Sequence, residues 1–264
     1  MAKSVFITGA AAGIGRVTAL KFAAKGYTVG AYDIDEAGLA SLREEITAHG
    51  ATAVTGHLDV TDNDEMIARL DEFVAAAGGR LDVLINNAGI LVAGAFEEIP
   101  VPMQHKMIDI NCKGVVNGLH AAHPHLRRTP GAVVVNLASA SAIYGQAELA
   151  VYSASKFFVR AMTEALDVEW GPQGIRVISM WPLYVQTTMT DGVSTGTTKS
   201  LGINLTADDV ANDIMAAIEP SPLRRRLHQV HFPVGRQAKL FAAGSRFSPA
   251  WLTRLLNKRL AAAD

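Results

Sequence analysis

The sequence is short of several things, and each shortage narrows the reading. It has one cysteine, Cys112, so no internal disulfide can form and a reducing compartment is the natural setting. Cys112 itself reads as a buried space-filler. No run of about 18 or more uninterrupted apolar residues occurs, so no segment reads as a membrane-spanning helix. Met1-Ala2-Lys3-Ser4 passes into Val5-Phe6-Ile7, too short an apolar stretch for a signal-peptide core. The expectation is a cytoplasmic protein. Acids are nearly absent from Pro220 to Asp264. Nine cations (Arg224, Arg225, Arg226, Arg236, Lys239, Arg246, Arg254, Lys258 and Arg259) face only Asp264 there, which makes this extension +8 and the rest of the chain −9.

What is present is core material: 49% hydrophobic against 19% charged residues, in a chain of 264, fits a well-filled globular enzyme. Periodicity predicts strands at Ser4–Thr8, Thr28–Tyr32, Thr52–Leu58, Leu81–Ile85, Ala132–Leu137 and Ile175–Met180, with a last one at Leu227–Phe232. Helices are predicted at Gly13–Lys25, Glu36–His49 before Gly50, Asp62–Ala77 behind an Asp62/Glu65 capping pattern, about Pro102–Arg128, Val151–Trp170, and Ala207–Ile218 behind Thr206. Alternation of this kind implies an α/β fold, a doubly wound parallel sheet in a three-layer α/β/α, Rossmann-like arrangement. With no linker or repeat visible, residues 1–264 read as a single domain. The stretch 187–205 is rich in Thr, Ser and Gly; it follows the sixth strand and reads as a mobile substrate loop. Residues 220–264 read as a basic extension.

Thr8-Gly9-Ala10-Ala11-Ala12-Gly13-Ile14-Gly15 joins the first strand to the first helix. Glycine lets backbone turn sharply and approach a pyrophosphate, while the helix start offers N–H groups and positive dipole. The spacing is G-x-x-x-G-x-G, not the commoner G-x-G-x-x-G. Asp33, at the end of the second strand, can accept from ribose hydroxyls and repel a 2′-phosphate. No cation stands at Ala12 or Ile34 to receive that phosphate. NAD is the expected cofactor.

Tyr152 and Lys156 stand four residues apart on one helix face. A free phenol has a pKa of about 10, and a nearby ammonium favours the phenolate. Tyr152 then becomes a proton acceptor for an alcohol, or a donor during reduction. Ser139 follows an apolar strand and offers a hydroxyl to hold the reacting oxygen.

With these residues in register, the region from about Lys3 to Met189 resembles the short-chain dehydrogenases/reductases, in their compact single-domain branch. Thr8–Gly15 resembles that family's cofactor turn, with Gly9, Ala12, Gly13, Ile14 and Gly15 at the contact positions. Asp59-Val60 resembles its adenine-contacting pair, and Asn86-Asn87-Ala88-Gly89 its motif after the fourth strand. The resemblance implies that Asn87, Ala88 and Gly89 line the cofactor site and that the motif braces the sheet. It implies that Asn111 holds a proton-relay water by distorting its helix, that Lys156 also binds the nicotinamide ribose, and that Val185 and Thr187 contact the carboxamide. It also implies a homodimer or homotetramer. There is a departure: Pro182 is followed by Leu183 where the family has glycine. Leucine disfavours a positive φ, so the local path or pocket wall is expected to differ.

The candidate substrate wall is Leu91, Ile143, Leu149, Leu183, Tyr184 and Met189, nearly all apolar, which points to a lipophilic alcohol or ketone. No cation is expected there as a phosphate handle, and no metal is expected, His228 and His231 being the nearest ligand-like pair. The stretch Pro249–Ala263 reads as an amphipathic basic helix, expected to pack on a neighbouring subunit, with peripheral contact to an anionic membrane as the alternative and no role in nucleic-acid binding. The leading function is an NAD-dependent alcohol dehydrogenase or ketone reductase. A non-catalytic NAD-binding sensor is the alternative. A nucleotide-sugar epimerase or dehydratase ranks below both, because only about 75 residues follow Met189 where such enzymes carry a larger substrate lobe.

Overall fold

The structure is a computed structural model describing residues 2–219, 228–245 and 248–261. Arg224, Arg225, Arg226, Leu227, Arg246 and the end of the basic extension beyond Ala261 lie outside the described residues. In chain order the strands are β1 (Ser4–Thr8), β2 (Thr28–Asp33), β3 (Ala53–His57), β4 (Val83–Asn86), β5 (Val133–Leu137), β6 (Arg176–Pro182), β7 (Val185–Gln186), β8 (Leu205–Thr206) and β9 (His231–Val234). The helices are α1 (Gly13–Ala24), α2 (Glu36–Ala48), α3 (Asn63–Ala76), α4 (Val101–Ile108), α5 (Gly114–Arg127), α6 (Ala150–Trp170), α7 (Gly196–Leu201), α8 (Ala207–Ile218), α9 (Gly235–Ser245) and α10 (Ala250–Ala261). A seven-stranded sheet runs β3-β2-β1-β4-β5-β6-β9, parallel throughout, and β7 pairs with β8 in a two-stranded ladder.

The layers follow from period-two burial along each strand. Val5 and Ile7 of β1 point to one side, where Val29, Ile85 and Val135 join them under Phe22, Leu42 and Ile214 of α1, α2 and α8. Phe6 points to the other, with Leu84, Val134 and Val177 under Phe73, Leu119 and Val159 of α3, α5 and α6. Phe6 stacks on Tyr32 at 4.5 Å and meets Phe73 edge-on at 5.7 Å. Burying one such side chain contributes roughly 1.5–3 kcal/mol. Both faces are covered, as an all-parallel sheet requires.

Some local expectations change. Asp62 caps α3 by accepting from Asp64 N and Glu65 N, but Glu65 does not return the bond: its carboxylate accepts from Asp59 N at 2.9 Å and sits 2.9 Å from His57 Nδ1. The long helix expected at Pro102–Arg128 is interrupted by a π-helical turn, Asp109–Lys113. The last strand is His231–Val234, later than expected. The stretch 187–205 carries helix α7 and part of the β7–β8 ladder. Helix α9 has no counterpart in the sequence reading. Among the described residues, no helix is long and apolar enough to cross a membrane.

Strand order reverses at the β1/β4 boundary, and the chain leaves the two strands on opposite faces there. A crevice outside the strand C-termini results.

Candidate active site

That crevice is a cavity of about 670 Å³. It runs from Asp33 and Ile34, past the β1–α1 turn and Asn87-Ala88-Gly89, to Ser139, Tyr152 and Lys156, and on to Leu183, Tyr184 and Met189.

At its first end the turn is held by the segment after β4. Asn87 Nδ2 donates to Thr8 O at 3.0 Å and to Gly9 O at 2.8 Å. Thr8 Oγ1 accepts from Asn87 N and Ala88 N, both at 3.1 Å. Gly9 has φ +66°, and a Cβ there would stand 2.8 Å from Ala88 Cα, so both conformation and space demand glycine. Ala12, Gly13 and Ile14 line the cavity, whereas Gly15 lies beneath the turn. Asp33 leans across to it: Oδ2 accepts from Ala11 N at 3.0 Å and Oδ1 from Asp35 N at 3.1 Å. Arg16, the cation of α1 closest in sequence to the turn, is engaged by Gly38 O, Ser41 and Glu45, the last at 2.8 Å. Asp59 and Val60 line the same end; bonds from the Thr61 amide and hydroxyl hold the Asp59 carboxyl below its ordinary range. Asn86 braces the sheet through Nδ2 to Asn136 Oδ1 at 2.9 Å. These features fit a dinucleotide: a turn with glycine at Gly9 and Gly13, a helix N-terminus, and the Asp33 carboxylate at the end of the neighbouring strand.

At the centre, Tyr152, Lys156 and Ser139 converge. Lys156 Nζ donates to Leu137 O at 2.9 Å and lies 5.6 Å from the Tyr152 ring centroid. Ser139 accepts from Ser141 N at 3.1 Å; its hydroxyl stands 3.2 Å from Ser141 Oγ and 3.4 Å from Pro182 O, and it hydrogen-bonds Tyr152. The electrostatics depart from expectation. Burial pushes the Tyr152 phenol up to about 12, against the opposing pull of the Ser139 bond. Burial also pushes the Lys156 ammonium down to about 8. In this chain by itself, desolvation outweighs the charge effect expected from the neighbouring ammonium, and the phenol stays protonated at neutral pH.

Asn111 does not reach the cavity wall. From the π-helical turn its Oδ1 accepts from Ile90 N at 2.8 Å, and its Nδ2 donates to Ile90 O at 2.9 Å and Ser155 Oγ at 3.1 Å. The amide therefore ties the segment after Gly89 to the helix that carries Tyr152 and Lys156. A π turn is a common device at such sites.

At the far end Leu91, Leu183, Tyr184 and Met189 line the cavity, and Ile143 and Leu149 do not. Ile143 packs into the core under α6, while Leu149 is buried with Met107, Tyr152 and Tyr184 behind the wall. Leu183 needs no left-handed turn, because the non-glycine residues with positive φ among the described residues are Glu148 and His228. Pro182, Val185 and Thr187 line the cavity, with Thr187 Cγ2 3.3 Å from where a Gly13 Cβ would stand. The expectation of no cation is corrected: Lys106, with Pro102, His105 and Asp109, borders the cavity from one face of α4 and its extension. Their i, i+3, i+4, i+7 spacing carries that signal in the sequence. Ser141 was also missed; it is bonded to Ser139 and lines the cavity. His231 is committed elsewhere, 2.8 Å from Ser179 Oγ and 2.7 Å from Glu164 Oε1.

Comparison with known proteins gives a consistent set of likenesses. Residues 3–198 match the short chain dehydrogenase family. The 3-alpha-(or 20-beta)-hydroxysteroid dehydrogenase of Mycobacterium tuberculosis (strain ATCC 25618 / H37Rv) is 37% identical over 192 residues, 72% of each chain. Meso-2,3-butanediol dehydrogenase of Serratia marcescens is 36% identical over 190 residues, 72% of this chain and 74% of that enzyme. The crystal structure of 3-ketoacyl-(acyl-carrier-protein) reductase from Brucella melitensis, complexed with NADH, superposes with a TM-score of 0.78 at 28% identity, over 88% of this chain and 96% of that one.

Proposed function

The chain belongs to the short-chain dehydrogenase family, oxidoreductases acting on alcohols and ketones with a nicotinamide cofactor, and from that premise we propose that it is an NAD-dependent enzyme for lipophilic secondary alcohols and their ketones. The observation that carries this reading is one cavity bordered by Asp33 at one end and by Ser139, Tyr152 and Lys156 at its centre.

Bound there, the cofactor supplies the hydride acceptor or donor, and in its oxidised form a positive charge. The chain's own residues do the rest. Ser139 Oγ holds the substrate oxygen, and the Tyr152 phenol gives it a proton during reduction or takes one during oxidation. Because burial holds the phenol up near 12, Tyr152 is set as a donor at neutral pH, and alcohol oxidation is favoured as pH rises. Lys156 keeps a cation beside Tyr152 below a pH of about 8 and binds the ribose. Asn111 is a positioning residue, fixing Ile90 and Ser155 behind the reacting groups. Asp33, with Arg16 withdrawn to Glu45, favours NAD over NADP. Asp59, Val60, Asn87, Ala88, Gly89, Val185 and Thr187 complete the cofactor contacts. The apolar wall at Leu91, Leu183 and Met189 supports a lipophilic substrate, as does the hydroxysteroid relative. Exposed Ile108, Val116 and Phe157 support a homodimer or homotetramer.

The test is a panel of hydrophobic secondary alcohols with NAD or NADP, followed by absorbance of the reduced nicotinamide, in the wild type and Tyr152→Phe. We expect turnover with NAD, weak turnover with NADP, and a loss of at least roughly 100-fold in the variant with NADH binding retained. Equal use of NADP would overturn the Asp33 reading. Unchanged turnover in the variant would overturn the role of Tyr152, and NADH binding without turnover on any alcohol or ketone would favour a sensor.

A further inference from the structure

Helix α10 has two working faces. Its inner face sits on the 145–149 segment and α7, which lie behind the far wall of the cavity. Asn257 Nδ2 donates to Gly145 O at 2.6 Å, and Leu260 O accepts from Ser200 Oγ of α7 at 2.9 Å. The backbone of Ala261 occupies the place that a Cβ on Gly196 would take. Gly196 N in turn donates to Glu148 Oε2 at 2.8 Å, so α10, α7 and the 145–149 segment form one stack. The adjoining Gln146 Oε1 accepts from Tyr184 Oη at 3.1 Å, which carries the stack to the cavity wall.

The outer face is exposed and mixed. Trp251 is 68% exposed, and Leu255 and Leu256 are exposed beside Arg254, Lys258 and Arg259. Helix α9 adds Leu240, 73% exposed, with Arg236 and Lys239. Residues 228–261 contain no acid. The sequence left this helix open to a neighbouring subunit or an anionic membrane. Its inner face packs within the chain, and tryptophan and leucine stand outside among cations.

We propose that α9 and α10 form a docking face for a membrane surface carrying anionic lipid, with α10 linked through the 145–149 segment to Tyr184 of the cavity wall. The charge is complementary to such a surface, and the apolar residues give the face something to insert. Tryptophan belongs at the boundary between headgroup and acyl chain. A nucleic acid would engage the cations and leave the leucines in water. Two copies meeting through this face about a two-fold axis would set like charges together. Docking would bring the segments behind the cavity's far wall toward the layer where a lipophilic alcohol is concentrated, and this part rests on the function proposed above.

The test is co-sedimentation of the full chain with phosphatidylcholine vesicles, with and without phosphatidylglycerol, at low and high salt. No substrate or cofactor is added, so the outcome is independent of the enzymatic reading. We expect binding only when phosphatidylglycerol is present, weakened by salt. It should fall roughly 100-fold in R254Q/K258Q/R259Q, at about fivefold per cation, and roughly tenfold in Trp251→Ala. Both variants should keep the wild-type circular dichroism and thermal midpoint. Absence of binding to the anionic vesicles overturns the proposal, as does equal binding by the triple variant. Loss of a concentration-dependent oligomer in the triple variant, without vesicle binding in the wild type, assigns the face to a second copy and also overturns it.

Discussion

At the cofactor end of the cavity, Asn87 donates to the backbone of Thr8 and Gly9, residues in the turn itself. Behind the substrate end, Glu148 accepts from the backbone of Gly196, a residue of a separate helix against which Ala261 of α10 also packs. The first end is built from short segments following adjacent parallel strands, whose positions the sheet fixes. The second is built from segments far apart in sequence, which meet only by packing. Glu148 has φ +62° and Gly94 N donates to its carbonyl at 2.9 Å, so local strain is held there by distant contacts. The cofactor end is therefore expected to tolerate change less well than the substrate end, where substitutions should tune without destroying.

Two substitutions sharpen that contrast. The larger effect is expected from Gly9→Ala, which must hold alanine in a left-handed conformation against Ala88. NADH affinity, read by fluorescence titration, should fall roughly 100-fold, the scale of about 1–3 kcal/mol of backbone strain plus the collision. Near-normal affinity would mean that the turn can relax, and the contrast would fail. The smaller effect is expected from Glu148→Ala, which releases the Gly196 amide. The KM for a lipophilic alcohol should rise by roughly tenfold or less, with the KM for NAD unchanged. A parallel rise in both would show that the two ends are coupled.

The same contrast explains what could be read in the sequence. The parallel sheet covered on both faces was legible, and so were the turn and strand ends that border the first end of the cavity, because Gly9, Asp33 and Asn87 are marked by local backbone demands and strand-end position. Lys106 and His105 were missed although their helical spacing with Pro102 and Asp109 marks a face, since that spacing does not say what the face looks into. Ile143 and Leu149 were misplaced because an apolar residue beside a site reads the same in the wall as behind it. Helix α9 left little pattern: of its residues only Ala238 is buried. The two-residue strands β7 and β8 are too short for any period to register. The sign of the Tyr152 shift was also out of reach. It depends on how much burial opposes the ammonium, and burial is a property of the fold.

Under the proposed function, a buried, protonated Tyr152 turns into a base when positive charge gathers round it. Titrating the phenol directly tests this, as the difference in tyrosinate absorbance between the wild type and Tyr152→Phe, with and without NAD. A midpoint near 12 is expected for the free chain, falling by about 1–3 pH units with NAD bound, the usual effect of a neighbouring cation. A midpoint that does not move on binding NAD would contradict it.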